Sequence, residues 1–346
     1  LSEEELSYLN NLAEKTSDSI NSRIKKLGID AVVFLGGSLA KKTLIKDSAY
    51  DIDIFVRFNK KYSEEELKNN FSKIFRWLSI KGERIKIKKI RGSRDYYKII
   101  FKSNKSVFVE IIPVLRIKSP EEARNITDLS YFHVNYINGV LEKNKKLVDD
   151  IILAKLFCHA QKVYGAESYI KGFSGYSLEL LIIHFKGFEK FLQGISNLKS
   201  KIIVDTGKHY KKIDEVISTL NEAKIKSPII LIDPTFKERN AASALSKESL
   251  EKLKEAASEF LENPSSDFFE SKKINVHEMK LKAHDLDGIF VGFEIKTNKQ
   301  AGDIAGTKLL KFYNFFIPQI KKWFEVVENK FDYDGIKRAR MYFVLK

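Results

Sequence analysis

The sequence predicts an α+β chain of several domains, on three observations. Its 346 residues exceed what one ordinary hydrophobic core serves. Between residues 1 and 117, helix-period and strand-period stretches interleave, as they do where helices cover a mixed sheet. From Asp149 the helical period takes over, and after Ser246 strands return between helices. No linker stands out by composition, so the divisions follow these shifts: 1–139 mixed α/β, 140–245 mainly helical, 246–346 α/β.

Ser2 and Glu5 make the S-x-x-E of a capping box, opening a helix with Leu6, Leu9, Leu12, Ala13, Ile20, Ile24 and Leu27 inward; Gly28 ends it. "DAVVFLGG" (30–37) reads as a buried strand, and Ser38 caps a short helix through Thr43. "YDIDIFVRF" (50–58) alternates as a strand, and Ser63 caps a helix running to 78. Further strands are "RIKIKKIR" (84–91), "DYYKIIFK" (95–102) and "SVFVEIIPVLRI" (106–117). "DDIILAKLFCHAQKVYG" and "SGYSLELLIIHFKGFEKFL" read as helical, and "SPIILIDPTFKERN" (227–240) as strand and turn. Ser246 caps a charged helix to Leu261, and "GIFVGFEIKT" (288–297) is a strand. "LLKFYNFFIPQIKKWFEVVENKF" reads as one helix, before a terminal strand, "RARMYFVLK".

Lys and Arg number 61 against 46 Asp and Glu, a net +15, with a pI near 9.4. That balance favours polyanions: nucleic acid first, an anionic membrane surface second. A genome-wide Lys and Ile bias would give part of the same excess. "LELLIIHF" (178–185) is the longest apolar stretch, so no membrane-spanning helix is expected, and "LSEEELSYLN" lacks the basic start of a secretory leader. One cysteine, Cys158, forms no internal disulfide, which predicts a reducing, cytoplasmic setting.

The chemistry concentrates in "FLGGSLAKKTLIKDSAYDIDIFV" (34–56). On a strand Asp51 and Asp53 point to one face while Ile52 and Ile54 go inward. Paired carboxylates repel unless cations sit between them, and Mg²⁺ prefers oxygen ligands while keeping substrate phosphates in its other positions. Gly36 and Gly37 let backbone N–H groups approach a phosphate, Ser38 adds a hydroxyl at a helix start, and Lys41 adds charge. Glu110, inside an apolar strand, fits a third carboxylate of a two-metal site. Taken singly, D-x-D also suits a solvated face, Gly-Gly-Ser an ordinary turn and Glu110 an edge strand. Their order along the chain is what points to a phosphoryl-transfer site.

That order resembles the DNA polymerase β-type nucleotidyltransferase superfamily. "GGSLAKKTLIKDSAYDIDIF", "LSYFHVNYI", "AKLFCHAQKVYGAESYIKGFSGYSLELL" and "LIDPTFKERNAASAL" narrow it: through roughly residues 1–245 the chain is similar to archaeal-type (class I) CCA-adding enzymes. The resemblance implies a polymerase β-like catalytic domain at 1–139, a nucleotide- and base-recognising domain at 140–245 and a tRNA-binding body and tail at 246–346. It implies two Mg²⁺ ions on Asp51, Asp53 and Glu110, and nucleotide phosphates held by Gly37, Ser38 and Lys41. It places His133, Lys155 and Tyr164 at triphosphate- and sugar-binding positions, and Arg239 on the base of CTP or ATP. The implied activity is template-independent addition of C, C and A to the 3′ end of tRNA, releasing pyrophosphate. Its partners are the tRNA acceptor stem and 3′ end, CTP and ATP, with no membrane; a homodimer stays open.

The residues alone leave alternatives. His133 beside Phe132 also reads as a packed core histidine, Lys155 within "IILAKLF" as a paired buried lysine, and Arg239 as a surface residue. On one continuous helix Tyr164 would lie opposite Lys155, unless the chain bends at Gly165. The basic strands at 84–102, with Tyr96, Tyr97 and Phe101 interleaved, read as a solvated face or as a groove for an RNA 3′ end. Glu110 departs from the family's usual Asp, and Lys41 from its Arg, which keeps the charge but loses the bidentate fork. The C-terminal part is short for the family, which implies a reduced grip on the acceptor stem and TΨC loop. The rival readings are a poly(A) polymerase-like RNA nucleotidyltransferase, a small-molecule nucleotidyltransferase and an inactive RNA-binding relative.

Overall fold

The computed structural model describes residues 1–46, 49–271 and 273–346. Asp47 and Ser48, inside the first family-like block, lie outside the described residues. The chain forms two compact units, Leu1–Leu156 with Gly175–Ser243, and Phe157–Ser174 with Ala244–Lys346.

The first unit opens with α1 (Glu3–Leu27), where the Ser2–Glu5 capping box is present and Gly28 closes the helix at φ 62°. β1 (Ala31–Leu35), β2 (Tyr50–Asn59), β3 (Ile85–Ile90), β4 (Tyr96–Phe101) and β5 (Val107–Arg116) form one sheet in the order β1-β2-β5-β4-β3. β2 and β5 run parallel and every other pair is antiparallel. Parallel strands are buried centrally because their crossovers cover them. Ile52, Ile54, Val56, Val107, Val109 and Ile111 accordingly join one core with Leu9, Leu12 and Ile20 of α1. Leu67, Phe71 and Ile74 of α3 (Glu64–Phe75) complete it. Ser63 caps α3 with Glu66 as its box partner, and the helix stops at Phe75, short of the expected 78. Between β1 and β2 lies the four-residue α2 (Gly37–Ala40). Its N-cap is Gly36, with no side-chain cap, so Ser38 is a residue within the turn rather than its cap. Lys41 follows as the C-cap.

α4 (Ser130–Lys143), α5 (Leu147–Ala160), α6 (Gly175–Phe185) and α7 (Phe188–Ser196) continue the chain, and the boundary between the units falls within α5. A three-stranded sheet ordered β6-β7-β8 follows, from β6 (Ile202–Asp205), β7 (Ile229–Asp233) and β8 (Phe236–Asn240). Two short helices, α8 (Ile213–Thr219) and α9 (Glu222–Ile225), lie between its first two strands.

In the second unit come α10 (Lys247–Glu262), capped by Ser246 as expected, and α11 (Val276–Asp285). β9 (Ile289–Lys296), β10 (Val326–Tyr333) and β11 (Arg338–Leu345) form an antiparallel sheet ordered β10-β11-β9. The helix expected through Phe331 instead ends at Ile320 as α12 (Asp303–Ile320). The "VVENKF" end is strand β10, paired along β11, with a β-bulge between Val326 and Glu328. That bulge lets Val327 join one apolar cluster while Phe331 joins the other.

Candidate active site

The parallel register of β2 and β5 sets Asp53 directly beside Glu110 and Asp51 beside Phe108. One ligand oxygen from each of Asp51, Asp53 and Glu110 lies within 4.8 Å of the others. β5 is an interior strand, so Glu110 is not an edge-strand charge. Burial, then Asp53 and Glu110, push the Asp51 carboxyl well above its ordinary range. Burial and Glu110 push Asp53 up to about 6, against Lys41. Burial raises Glu110 too, opposed by Lys98, whose Nζ lies 3.4 Å from Glu110 Oε1. Asp51 Oδ1 is buried with no hydrogen-bond partner. Three converging carboxylates with a stranded oxygen fit a hard divalent cation, the one partner that would offset all of these costs.

Continuing the register, Glu110 pairs with Lys98 on β4, and Lys98 with Lys88 on β3. The row Asp53, Glu110, Lys98, Lys88 therefore passes from negative to positive across one sheet face. Tyr96 shares that face, and burial together with the three acids raises its hydroxyl.

Gly37 sits over the acids at φ +63°, and a Cβ there would overlap the Asp53 carboxylate. Only glycine suits this position, for space and for backbone. Lys41, mostly buried, is not an open phosphate hook: its Nζ lies 2.6 Å from Glu179 on α6. Glu179 Oε1 also takes Lys155 Nζ at 2.8 Å and Thr43 Oγ1 at 2.9 Å. Burial opposes the Glu179 charge, yet Lys155 and Lys41 hold its carboxyl down at about 2. Burial lowers Lys155, which is fully paired. Two ammoniums on one carboxylate leave a net positive charge behind the acids.

A second hub is Asp233, at the end of β7. His133 Nε2 on α4 lies 2.9 Å from its Oδ2, and Arg239 Nη1 on β8 lies 2.6 Å from the same oxygen. Tyr176 Oη donates to Oδ1 at 3.0 Å. His133 is therefore a paired histidine, and Arg239 is not a free surface residue. The His133 and Tyr176 rings stack at 4.2 Å.

Tyr164 belongs to the second unit, where it bridges Phe173 in a loop after α5. α5 stops at Ala160, so Lys155 and Tyr164 do not share a helix. Glu179, Tyr176 and Asp233, which no motif above names, carry contacts to the expected site residues. All three lie inside the blocks "GFSGYSLELL" and "LIDPTFKERN", but their partners are remote in sequence, so no local spacing marks them as site residues.

Residues 7–131 match the nucleotidyltransferase domain model, and residues 149–270 the model for the tRNA nucleotidyltransferase second domain. The chain is 41% identical over 235 residues to the CCA-adding enzyme of Nanoarchaeum equitans, covering 68% of this chain and 56% of that protein. It is 30% identical over 318 residues to the CCA-adding enzyme of Saccharolobus islandicus, covering 90% of this chain and 70% of that one. It is 28% identical over 312 residues to that of Thermoplasma volcanium, covering 90% of this chain and 64% of that one, so the chain spans between 56% and 70% of the length of these three relatives. Among solved structures, a cytoplasmic RNA terminal U-transferase aligns with a TM-score of 0.57 at 12% identity, over 80% of this chain and 95% of that one. E. coli MS115-1 CdnC with ATP aligns with a TM-score of 0.53 at 17% identity, over 78% and 90%. Together with the nucleotidyltransferase domain match, those likenesses show a polymerase β-like nucleotidyltransferase fold, with mixed sheet and helices. With relatives at this identity and coverage, the chain belongs to the family of archaeal CCA-adding enzymes.

Proposed function

We propose that this chain adds C, C and A to the 3′ end of tRNA from CTP and ATP, without a template and with release of pyrophosphate. The observation carrying the reading is the convergence of Asp51, Asp53 and Glu110 beneath the Gly37 backbone. Two Mg²⁺ ions bound by these acids would lower the pKa of the attacking 3′-hydroxyl and neutralise the departing pyrophosphate. Asp51 and Asp53 serve as ligands, while Glu110 is both ligand and acceptor of the hydroxyl proton. The Gly37 and Ser38 backbone and the Ser38 hydroxyl hold nucleotide phosphates, with Lys41 and Lys155 acting as a buried positive base tied by Glu179. Arg239 reads the base. His133, Lys155 and Tyr164 are assigned to triphosphate- and sugar-binding positions on family resemblance alone. Lys98 and Lys88 lead the RNA strand toward the acids, as alternating charge and aromatic side chains do for single strands.

On this reading 1–139 is the catalytic part, 140–245 the nucleotide- and base-recognising part and 246–346 the tRNA grip, in a cytoplasmic enzyme acting as a monomer or homodimer. A second reading, an RNA-tailing polymerase, is favoured by the terminal U-transferase fold likeness. Transcripts of tRNA lacking one, two or three terminal nucleotides, given CTP and ATP separately and together with Mg²⁺, separate the two. Products ending at CCA support the proposal, long homopolymer tails support the second reading, and no Mg²⁺-dependent incorporation overturns both.

A further inference from the structure

The strand register that gathers the acids also brings an ammonium among them. Lys98 on β4 pairs with Glu110 on β5, and its Nζ lies 3.4 Å from Glu110 Oε1. The same nitrogen sits 3.1 Å from the centroid of the Phe108 ring. Phe108 lies beside Asp51 in the β2–β5 register, so the ring is a seat next to two of the acids. The Lys98 charge reaches both, opposing the burial that raises Glu110 and Asp51.

How firmly this ammonium is held follows from a contrast. Lys41 and Lys155 are buried, lie 2.6 and 2.8 Å from Glu179, and are fixed there. The Lys98–Glu110 distance is longer than the roughly 2.7–2.9 Å of a close charge-assisted hydrogen bond. Both side chains are also partly exposed, by 25% and 20%. Such an ion pair is weak and exchanges partners readily. On the other side of β4, β3 offers the exposed Lys88 in the same row, and the flexible lysine stem lets the Lys98 ammonium turn that way.

A divalent cation on Glu110 would meet the ammonium as a like charge on the same carboxylate. The two repel, so Glu110 serves one or the other. A displaced ammonium then needs an anion. On a sheet face that carries Lys88 beside Lys98, a nucleic-acid phosphate meets that need.

Resting on the function proposed above, we infer that Lys98 competes with the divalent cation for Glu110 and, when displaced, takes up an RNA phosphate. Lys98 is thus a positioning residue that couples two ligands. Cation binding makes a phosphate contact available, and that contact draws the competitor away from Glu110. Coupling of this kind is reciprocal. The acids therefore bind metal most tightly when an acceptor strand lies across β4.

Mn²⁺ binding to the full chain, read from the electron paramagnetic resonance of the unbound ion, tests the competition without turnover. Lys98→Met keeps most of the stem and removes the charge. Mn²⁺ should then bind about fivefold tighter, the worth of one partly exposed ion pair. Phe108→Leu keeps the charge but weakens its seat, and should tighten Mn²⁺ binding about twofold. The phosphate half is read from tRNA affinity by filter binding, in Mg²⁺ and in chelator. Wild type should gain about fivefold more from Mg²⁺ than Lys98→Met does, since ion effects on tRNA itself are common to both. Unchanged or weaker Mn²⁺ binding by Lys98→Met overturns the inference, because Lys98 would then only pack or orient Glu110. So does wild-type Mn²⁺ binding by Phe108→Leu, which would leave only a long-range field. An equal Mg²⁺ gain in the two proteins overturns the coupling. Failure of wild type to extend truncated tRNA, with these shifts intact, overturns the function proposed above and leaves the competition standing.

Discussion

Asp53 shows most directly how one side chain trades stability for chemistry. Without a cation it is held against two other acids, so Asp53→Asn should abolish nucleotide transfer and yet stabilise the metal-free protein, by about 1 kcal/mol. Thermal melts in chelator would show it, and a lower melting temperature for the variant would contradict the repulsion account. tRNA binding should survive the substitution. Glu179 is the opposite case. Against burial, Lys155 and Lys41 hold its carboxyl at about 2, below the ordinary 4.5 of a glutamate, so its stabilisation is complete above about pH 4.5 and is lost as pH falls toward 2. Urea midpoints should drop across that window, and in Glu179→Gln the drop should be shallower. That variant should start about 3–5 kcal/mol lower because two buried lysines lose their partner. Asp51, Asp53 and Glu110 were legible because spacing on strands fixes a face. Asp233 and Glu179 were not, since their partners come from α4, α5, α6 and β8 and no local pattern relates those elements.

At the scale of elements, the helix starts were read from chemistry that is complete within four residues. Ser2, Ser63 and Ser246 all cap as their sequences say. Ser2→Ala should therefore cost about 1 kcal/mol in denaturant unfolding, and an unchanged midpoint would deny the cap its role. α2 deceived because two glycines precede the serine, and Gly36 takes the capping position without a side chain. β10 was concealed for a different reason: "WFEVVENKF" satisfies helical and strand periods alike, and only β11, its partner across a turn, decides between them.

For the whole molecule, a net charge of +15 predicts polyanion binding that weakens steeply with salt. Lys88 is exposed and in register with the acids, so Lys88→Glu should weaken tRNA binding and reduce the salt slope by about 1. An unchanged slope would remove β3 from the RNA path. Composition indicates a polyanionic partner, and only the sheet register sets Lys98 and Lys88 in line with Glu110 and Asp53.

The second unit is assembled from Phe157–Ser174 and Ala244–Lys346, with residues 175–243 intervening. During synthesis the earlier piece emerges first and waits. Phe157 eventually meets the rings of Phe260, Phe268 and Phe269, and Ser246 N–H bonds to the Lys171 carbonyl. Until those arrive, an apolar segment has nothing to cover it, which marks it as the place where a nascent or prematurely terminated chain would be cut by proteases or held by chaperones.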